Sequence, residues 1–230
     1  YGSITFYLGG QLLEVARPKV TLAQVGGGFR GSVKEFSKKS RLRLMRSIGK
    51  IDKSKLPLFV TLTYPQVYPT PQKSKEHFRA WWKRVKRKFP KAGKIWKMEP
   101  QERGAPHFHV LLWGVPYGLA RVYVPKMWYE VAGGGDLLHL RWHYGLLGHG
   151  NKHCVQEVKS WRGVVSYASK YLAKVIDAGG WESPGRFWGV CGRECIPWAD
   201  MLQVSVTDAE VFIMFRYLRR ACHVQARAYR

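Results

Sequence analysis

Residues 95–113 constrain this chain more than any other stretch. Ile95-Trp96-Lys97-Met98-Glu99-Pro100-Gln101 and His107-Phe108-His109-Val110-Leu111-Leu112-Trp113 flank Arg103-Gly104-Ala105-Pro106, which is turn chemistry. The two runs are expected to fold back as antiparallel strands. A strand's period of two then sends Phe108, Val110 and Leu112 into a core and puts His107 and His109 together on the other face. Two adjacent imidazoles hold a divalent metal when a third ligand comes from a neighbouring strand, and Glu99 is placed to supply it. Gln101, on the same strand face as Glu99, is the second choice. The plain alternative is a half-exposed strand with two incidental histidines, since His-x-His alone is a weak pattern.

The flanking sequence supplies an α+β frame. Residues 3–25 look extended around Gly9-Gly10, and Gly26-Gly27-Gly28 is a hinge-like break. From Ser32 to Ile51 an amphipathic helix is expected, its basic face carrying Lys38, Lys39, Arg41 and Arg43. Leu58-Phe59-Val60-Thr61-Leu62-Thr63-Tyr64 is the clearest strand, β-branched and alternating. Ser74 is expected to cap a helix running to Phe89, with Phe78, Trp81, Trp82 and Val85 apolar beside Lys83, Arg84, Lys86, Arg87 and Lys88. At least one of the two tryptophans reads as core. Residues 115–150 look irregular, with a short helix near Pro125–Val131. Val155–Val158 reads as a strand and Ser160–Ile176 as a helix. Thr207-Asp208-Ala209-Glu210 is a capping box that opens a last helix toward Arg220. The result is a central antiparallel β-sheet with flanking helices. It divides into a 1–56 N-terminal extension, a 57–178 core and a 179–230 C-terminal extension.

Charge narrows the partner. The formal net charge is +24, from 39 Lys and Arg against 15 Asp and Glu. Folding does not need that excess and self-repulsion makes it a cost, so a polyanion is the natural partner. No stretch is apolar enough to span a bilayer, which points to nucleic acid rather than membrane. Cys154, Cys191, Cys195 and Cys222 are too scattered for a disulfide scaffold, and Cys191-x3-Cys195 is a poor half of a zinc site. They read as reduced thiols in a cytoplasmic protein. The first residue is not methionine, which suggests a longer native chain, and no signal peptide is visible.

Val165-Ser166-Tyr167-Ala168-Ser169-Lys170-Tyr171-Leu172-Ala173-Lys174 adds the second half of a reaction. On a helix Tyr167 and Tyr171 stack one turn apart, opposite the aliphatic stripe of Val165, Ala168, Leu172 and Ile176. Each tyrosine has a lysine three residues on, Lys170 and Lys174. A phenol is a weak nucleophile at neutral pH, so nearby ammonium groups that favour phenolate, and a metal that polarises a phosphate, are the help it needs.

On three stretches the chain resembles the HUH endonucleases, and among them the two-tyrosine rolling-circle replication initiators: Phe59 to Pro65, Glu99 to His109, and Tyr167 to Lys174. The resemblance implies a ferredoxin/RRM-like sheet and a metal site of His107, His109 and Glu99 holding Mn2+ or Mg2+, with zinc not excluded by ligand type. It also implies that Tyr167 or Tyr171 attacks a DNA phosphate at a replication origin, leaving a 5′-phosphotyrosyl protein and a free 3′-hydroxyl. The implied partners are single-stranded origin DNA of a phage or plasmid, a polymerase, and a separate helicase, because no G-x-x-x-x-G-K-[ST] occurs in the chain. The implied setting is the cytoplasm of a bacterial host. Two other readings stand beside this one: a transposase or relaxase with the same chemistry, and a non-catalytic basic nucleic-acid-binding module.

Overall fold

A computed structural model describes residues 2–16, 33, 35–132, 134–148, 150–164, 181 and 184–228. The chain forms two compact units. The smaller comprises Tyr1–Phe29, Gly49–Asp52 and Trp198–Arg230. In it, β1 (Gly2–Leu8) pairs antiparallel with β2 (Leu13–Ala16) on one side and β8 (Asp200–Val206) on the other, with Ile4 opposite both Val15 and Val204. The two ends of the sequence thus share one sheet. Helix α5 (Asp208–Ala228) follows β8, and its capping box is formed as the sequence indicates. Glu210 Oε2 accepts from the Thr207 N–H at 2.7 Å, and Thr207 Oγ1 accepts from the Glu210 N–H at 3.3 Å.

The larger unit, Arg30–Ile48 with Lys53–Pro197, is an α+β domain. Its five-stranded sheet has the order β6-β3-β5-β4-β7, with β3 Leu58–Leu62, β4 Gly93–Pro100, β5 Pro106–Trp113, β6 Val155–Glu157 and β7 Trp188–Cys191. Every neighbouring pair is antiparallel. Alternation builds the core. Leu58, Val60 and Leu62 of β3 stand in register with Leu112, Val110 and Phe108 of β5 and are buried under α2 (Pro71–Lys88) and α3 (Tyr117–Ala132). Phe78 of α2 lies flat on Phe108, with ring centroids 4.3 Å apart and planes 2° from parallel. Trp81 is fully buried and Trp82 partly so, and the core beneath them includes Trp128 of α3. Lys94 is the exception in this layer. Its ammonium is buried over the Phe78 ring at 3.5 Å and the Trp82 ring at 4.6 Å, and burial pushes its pKa well down.

Two helices differ from their sequence-based bounds for identifiable reasons. Helix α2 begins at Pro71, not Ser74. Thr70 is the cap, its Oγ1 accepting from the Lys73 N–H, and Pro71 suits the first turn, where its missing N–H is no loss. Ser74 instead donates its hydroxyl to the Thr70 carbonyl at 2.9 Å. Helix α3 spans 16 residues and continues through Pro125, where a short helix in an irregular stretch was expected. Pro125 cannot donate to the carbonyl of Arg121, four residues back. His153 Nε2 meets that carbonyl at 3.1 Å instead. The same stretch contains α4 (Leu137–His143), capped by Asp136. Helix α1 (Lys38–Gly49) starts later than Ser32 and buries Leu44 and Ile48.

Candidate functional site

The sheet face opposite α2 and α3 carries the histidines. In the β4–β5 pairing Glu99 stands opposite His107 and Lys97 opposite His109, so all four side chains share that face. The two imidazoles meet edge to face with centroids 4.3 Å apart. Phe59, from β3 on the other flank, stacks on His109 with centroids 5.8 Å apart and planes 14° from parallel. Glu99 Oε1 lies 2.9 Å from His109 Nε2, and Glu99 Oε2 accepts from Lys97 Nζ, also at 2.9 Å. His109, Glu99 and Lys97 are buried, and His107 is half-buried.

Burial by itself raises the Glu99 pKa. The hydrogen bond and charge of His109, with the Lys97 ammonium, outweigh it and hold the carboxyl at about 2. Glu99 is therefore an anion at any working pH. Two imidazoles and one carboxylate suit a divalent cation by donor chemistry. Among the described residues, however, no three His, Cys, Asp or Glu side chains are gathered as a metal cage. In this arrangement Lys97 supplies the cation that Glu99 faces. Gln101 lies beyond the end of β4, in the turn: its N–H bonds the Ala105 carbonyl and its Oε1 accepts from Arg103 Nε at 3.2 Å.

Tyr167, Lys170, Tyr171 and Lys174 lie outside the described residues. The chain approaching them is described: residues 161–164 are helical, and Val164 lines a cleft of about 290 Å³ with Phe59 and Leu111. Phe59 and Leu111 belong to the histidine face of the sheet, by the alternation that puts His109 there. The basic residues of α1 and α2 fall on opposite sides. Lys97 Nζ sits 5.2 Å from the ring centre of Phe36, just before α1, so α1 begins beside the histidine face. Helix α2 covers the other face. There Lys83, Arg87 and Lys88 are exposed, Arg84 pairs with Glu130, and Lys86 pairs with Glu194 at 3.1 Å.

A second histidine pair, His139 and His143 on α4, was not singled out from the sequence, although His-x3-His at one helical turn is a visible signal. Both rings hold the backbone of Thr63, where β3 ends. His139 Nε2 donates to the Thr63 carbonyl at 2.9 Å and His143 Nε2 accepts from the Thr63 N–H at 3.3 Å. Trp128 Nε1 donates to the same carbonyl at 2.6 Å. Arg103 in turn donates to the carbonyls of Tyr64 at 2.7 Å and Pro65 at 2.8 Å. The loop after β3 is thereby tied to the β4–β5 turn, and a cleft of about 360 Å³ between them is lined by Gln66, Gln101, Arg103, His139 and Trp142.

A family model, that of the replication-associated protein ORF2/G2P, matches residues 57–176. The chain belongs to the replication-associated protein ORF2/G2P family. No curated protein and no solved structure matches it. Among the described residues no helix is long and apolar enough to cross a membrane.

Proposed function

We propose that the protein is a metal-dependent, sequence-specific nickase and ligase of single-stranded DNA that starts and ends rolling-circle replication of a phage or plasmid, as an HUH endonuclease of the two-tyrosine type. The observation that carries this reading is the placement of His107, His109 and Glu99 on one sheet face within the family-matched span, with helical residues 161–164 beside Phe59 and Leu111 on that same face. The described stretch thus ends, at Val164, on the sheet side where His107, His109 and Glu99 stand, three positions before Tyr167 in the sequence.

His107, His109 and Glu99 would hold one divalent ion, Mn2+ or Mg2+, which when bound supplies Lewis-acid polarisation of the scissile phosphate. Glu99, already ionised, needs no proton loss to act as a ligand, but Lys97 has to release one of its oxygens. Phe59 stacked on His109 fixes that ring, so ligand geometry is held by packing as well as by bonding. Tyr167 or Tyr171 attacks phosphorus through its phenolic oxygen. The bond from phosphorus to the 3′-oxygen breaks, that oxygen takes up a proton, and the 5′-phosphate stays on the tyrosine. Lys170 and Lys174 favour the phenolate. The reverse step, attack of a 3′-hydroxyl on the phosphotyrosine, reseals the strand. A second tyrosine, four residues away in the sequence, can hold one end while the other cleaves. Origin DNA, a polymerase and a separate helicase are the partners this cycle needs, in the cytoplasm of a bacterial host.

The buried Lys97–Glu99 pair favours one competing reading, a basic nucleic-acid-binding module whose histidine face is satisfied by its own lysine. Cleavage assays separate the two. With His107→Ala and His109→Ala combined, the proposed enzyme loses cleavage and keeps a folded core and DNA binding. Cleavage at the wild-type rate by that variant refutes the metal site.

A further inference from the structure

We propose that the cleft between α1 and β7 is a channel for single-stranded DNA that delivers the strand to the His107–His109–Glu99 face. The inference rests on the nickase reading for what happens at the end of the channel, and on its own geometry for the channel itself. Both walls, residues 38–49 and 188–191, lie outside the family-matched span of 57–176, so the channel is an addition to the family core.

Strand register places it. Lys97 is opposite His109 on one side and opposite Trp188 on the other. His109, Lys97 and Trp188 therefore form one cross-strand row on one face of the sheet. Two strand spacings separate its ends, about 10 Å. Beyond Trp188 the same wall continues through Phe187, whose carbonyl accepts from the Met98 N–H at 2.7 Å. The opposite wall is α1, joined to the first by the Trp188 Nε1 bond to Ser40 Oγ at 2.9 Å. Between them is a cleft of about 450 Å³ with Lys39, Arg43, Arg186, Ser37, Ser40 and Trp188 in its lining.

The chemistry of that lining is the chemistry of a nucleic-acid strand. Among the described residues of the lining, three exposed cations stand against one carboxylate, Glu35. Serine hydroxyls add neutral donors for phosphate oxygens, and a half-buried indole offers a face on which a base can stack. The basic face of α2 cannot serve the same strand, because the sheet lies between it and the histidines.

The test uses the whole protein and needs no origin sequence. A fluorescein-labelled oligo-dT is titrated with wild type, with a channel variant (Lys39→Glu, Arg43→Glu and Arg186→Glu) and with a control of equal charge change at exposed lysines elsewhere (Lys53→Glu, Lys126→Glu and Lys152→Glu). The channel variant is expected to bind at least about 10-fold more weakly than the control, and its slope of log affinity against log salt should fall by about two, for three lost phosphate contacts. If circular dichroism shows the glutamate variant misfolded, the glutamine series (Lys39→Gln, Arg43→Gln and Arg186→Gln) carries the same test. In parallel, an oligonucleotide carrying 5-iododeoxyuridine should photo-crosslink to the peptide containing Trp188. Equal affinity of channel variant and control, or crosslinks found only on α2, overturns the proposal. Binding in the channel by a protein that cuts nothing in a random single-stranded DNA pool with Mn2+ upholds the channel and refutes the nickase. Cleavage by a channel variant that binds as tightly as the control does the reverse.

Discussion

Acidifying the protein toward pH 5 should destabilise it through His143, by an amount the structure lets us work out. His143 is 1% exposed. Its Nδ1–H donates to the His139 carbonyl at 2.9 Å, and its Nε2 accepts from the Thr63 N–H. That pair of bonds fixes the neutral tautomer, since a proton on Nε2 would face another N–H. Burial first, then the neighbouring His139, drive its pKa from 6.5 down to about 3. Below pH 6.5 the unfolded chain takes up a proton that the folded chain refuses, so stability is full above that pH and is lost progressively as pH falls toward 3. At pH 5 the folded ring is still neutral and the unfolded ring is about 1.5 units below its pKa. At 1.36 kcal/mol per unit the loss is about 2 kcal/mol from this residue alone. His139, whose pKa burial also lowers, adds to it with the same sign. Urea titrations at pH 7.5, 6 and 5 should show this slope in wild type. His143→Gln should be weaker at pH 7.5 but flatter by about 2 kcal/mol across the range. Equal pH dependence in the two proteins would refute the reasoning.

Other expectations follow from packing and from the site. Phe108→Ala removes the ring stacked on Phe78 and should cost about 3–5 kcal/mol in urea unfolding, as a fully buried Phe-to-Ala change does. Gly114 has φ +73°, and a Cβ there would sit 2.0 Å from the Lys91 carbonyl oxygen, so Gly114→Ala should lower stability by more than ~1 kcal/mol or leave the protein insoluble. Chelation with EDTA should abolish cleavage and leave the affinity for single-stranded DNA largely intact, measured in one assay with added Mn2+ as rescue. Glu99→Gln should raise the Mn2+ concentration needed for half-maximal cleavage, because it removes the anionic ligand; an unchanged requirement would exclude Glu99 as a ligand.

The hairpin that places the histidines was legible because local chemistry decides it. Alternation set the faces and Gly104, at φ +83°, set the turn. The core strand Leu58–Leu62 and the capping box at Thr207 were legible for the same reason. What escaped depends on partners far away in sequence. Helix α3 runs through Pro125, and His153, 32 residues from Arg121, meets the carbonyl that the proline leaves. Strand β7 has four residues, among them a glycine and a cysteine, and exists because β4 offers it an edge. Lys97 is the most instructive case. Its position on the histidine face follows from the alternation that put Glu99 there, yet nothing local says that a lysine will be buried against that carboxylate. The opposite placement of the two basic helices was equally invisible, since amphipathicity shows which side of a helix is wet but not which side of a sheet it covers.

The central claim is a tyrosine-linked cleavage of DNA, and one measurement meets it directly. The protein is incubated with a pool of random single-stranded DNA and Mn2+, the covalent adduct is digested, and the modified peptide is identified by mass spectrometry. The account predicts a phosphotyrosyl peptide at Tyr167 or Tyr171, retained in each single Tyr→Phe protein and absent from the double variant. A nucleotide adduct on any other residue, or DNA cut with no adduct at all, would contradict it.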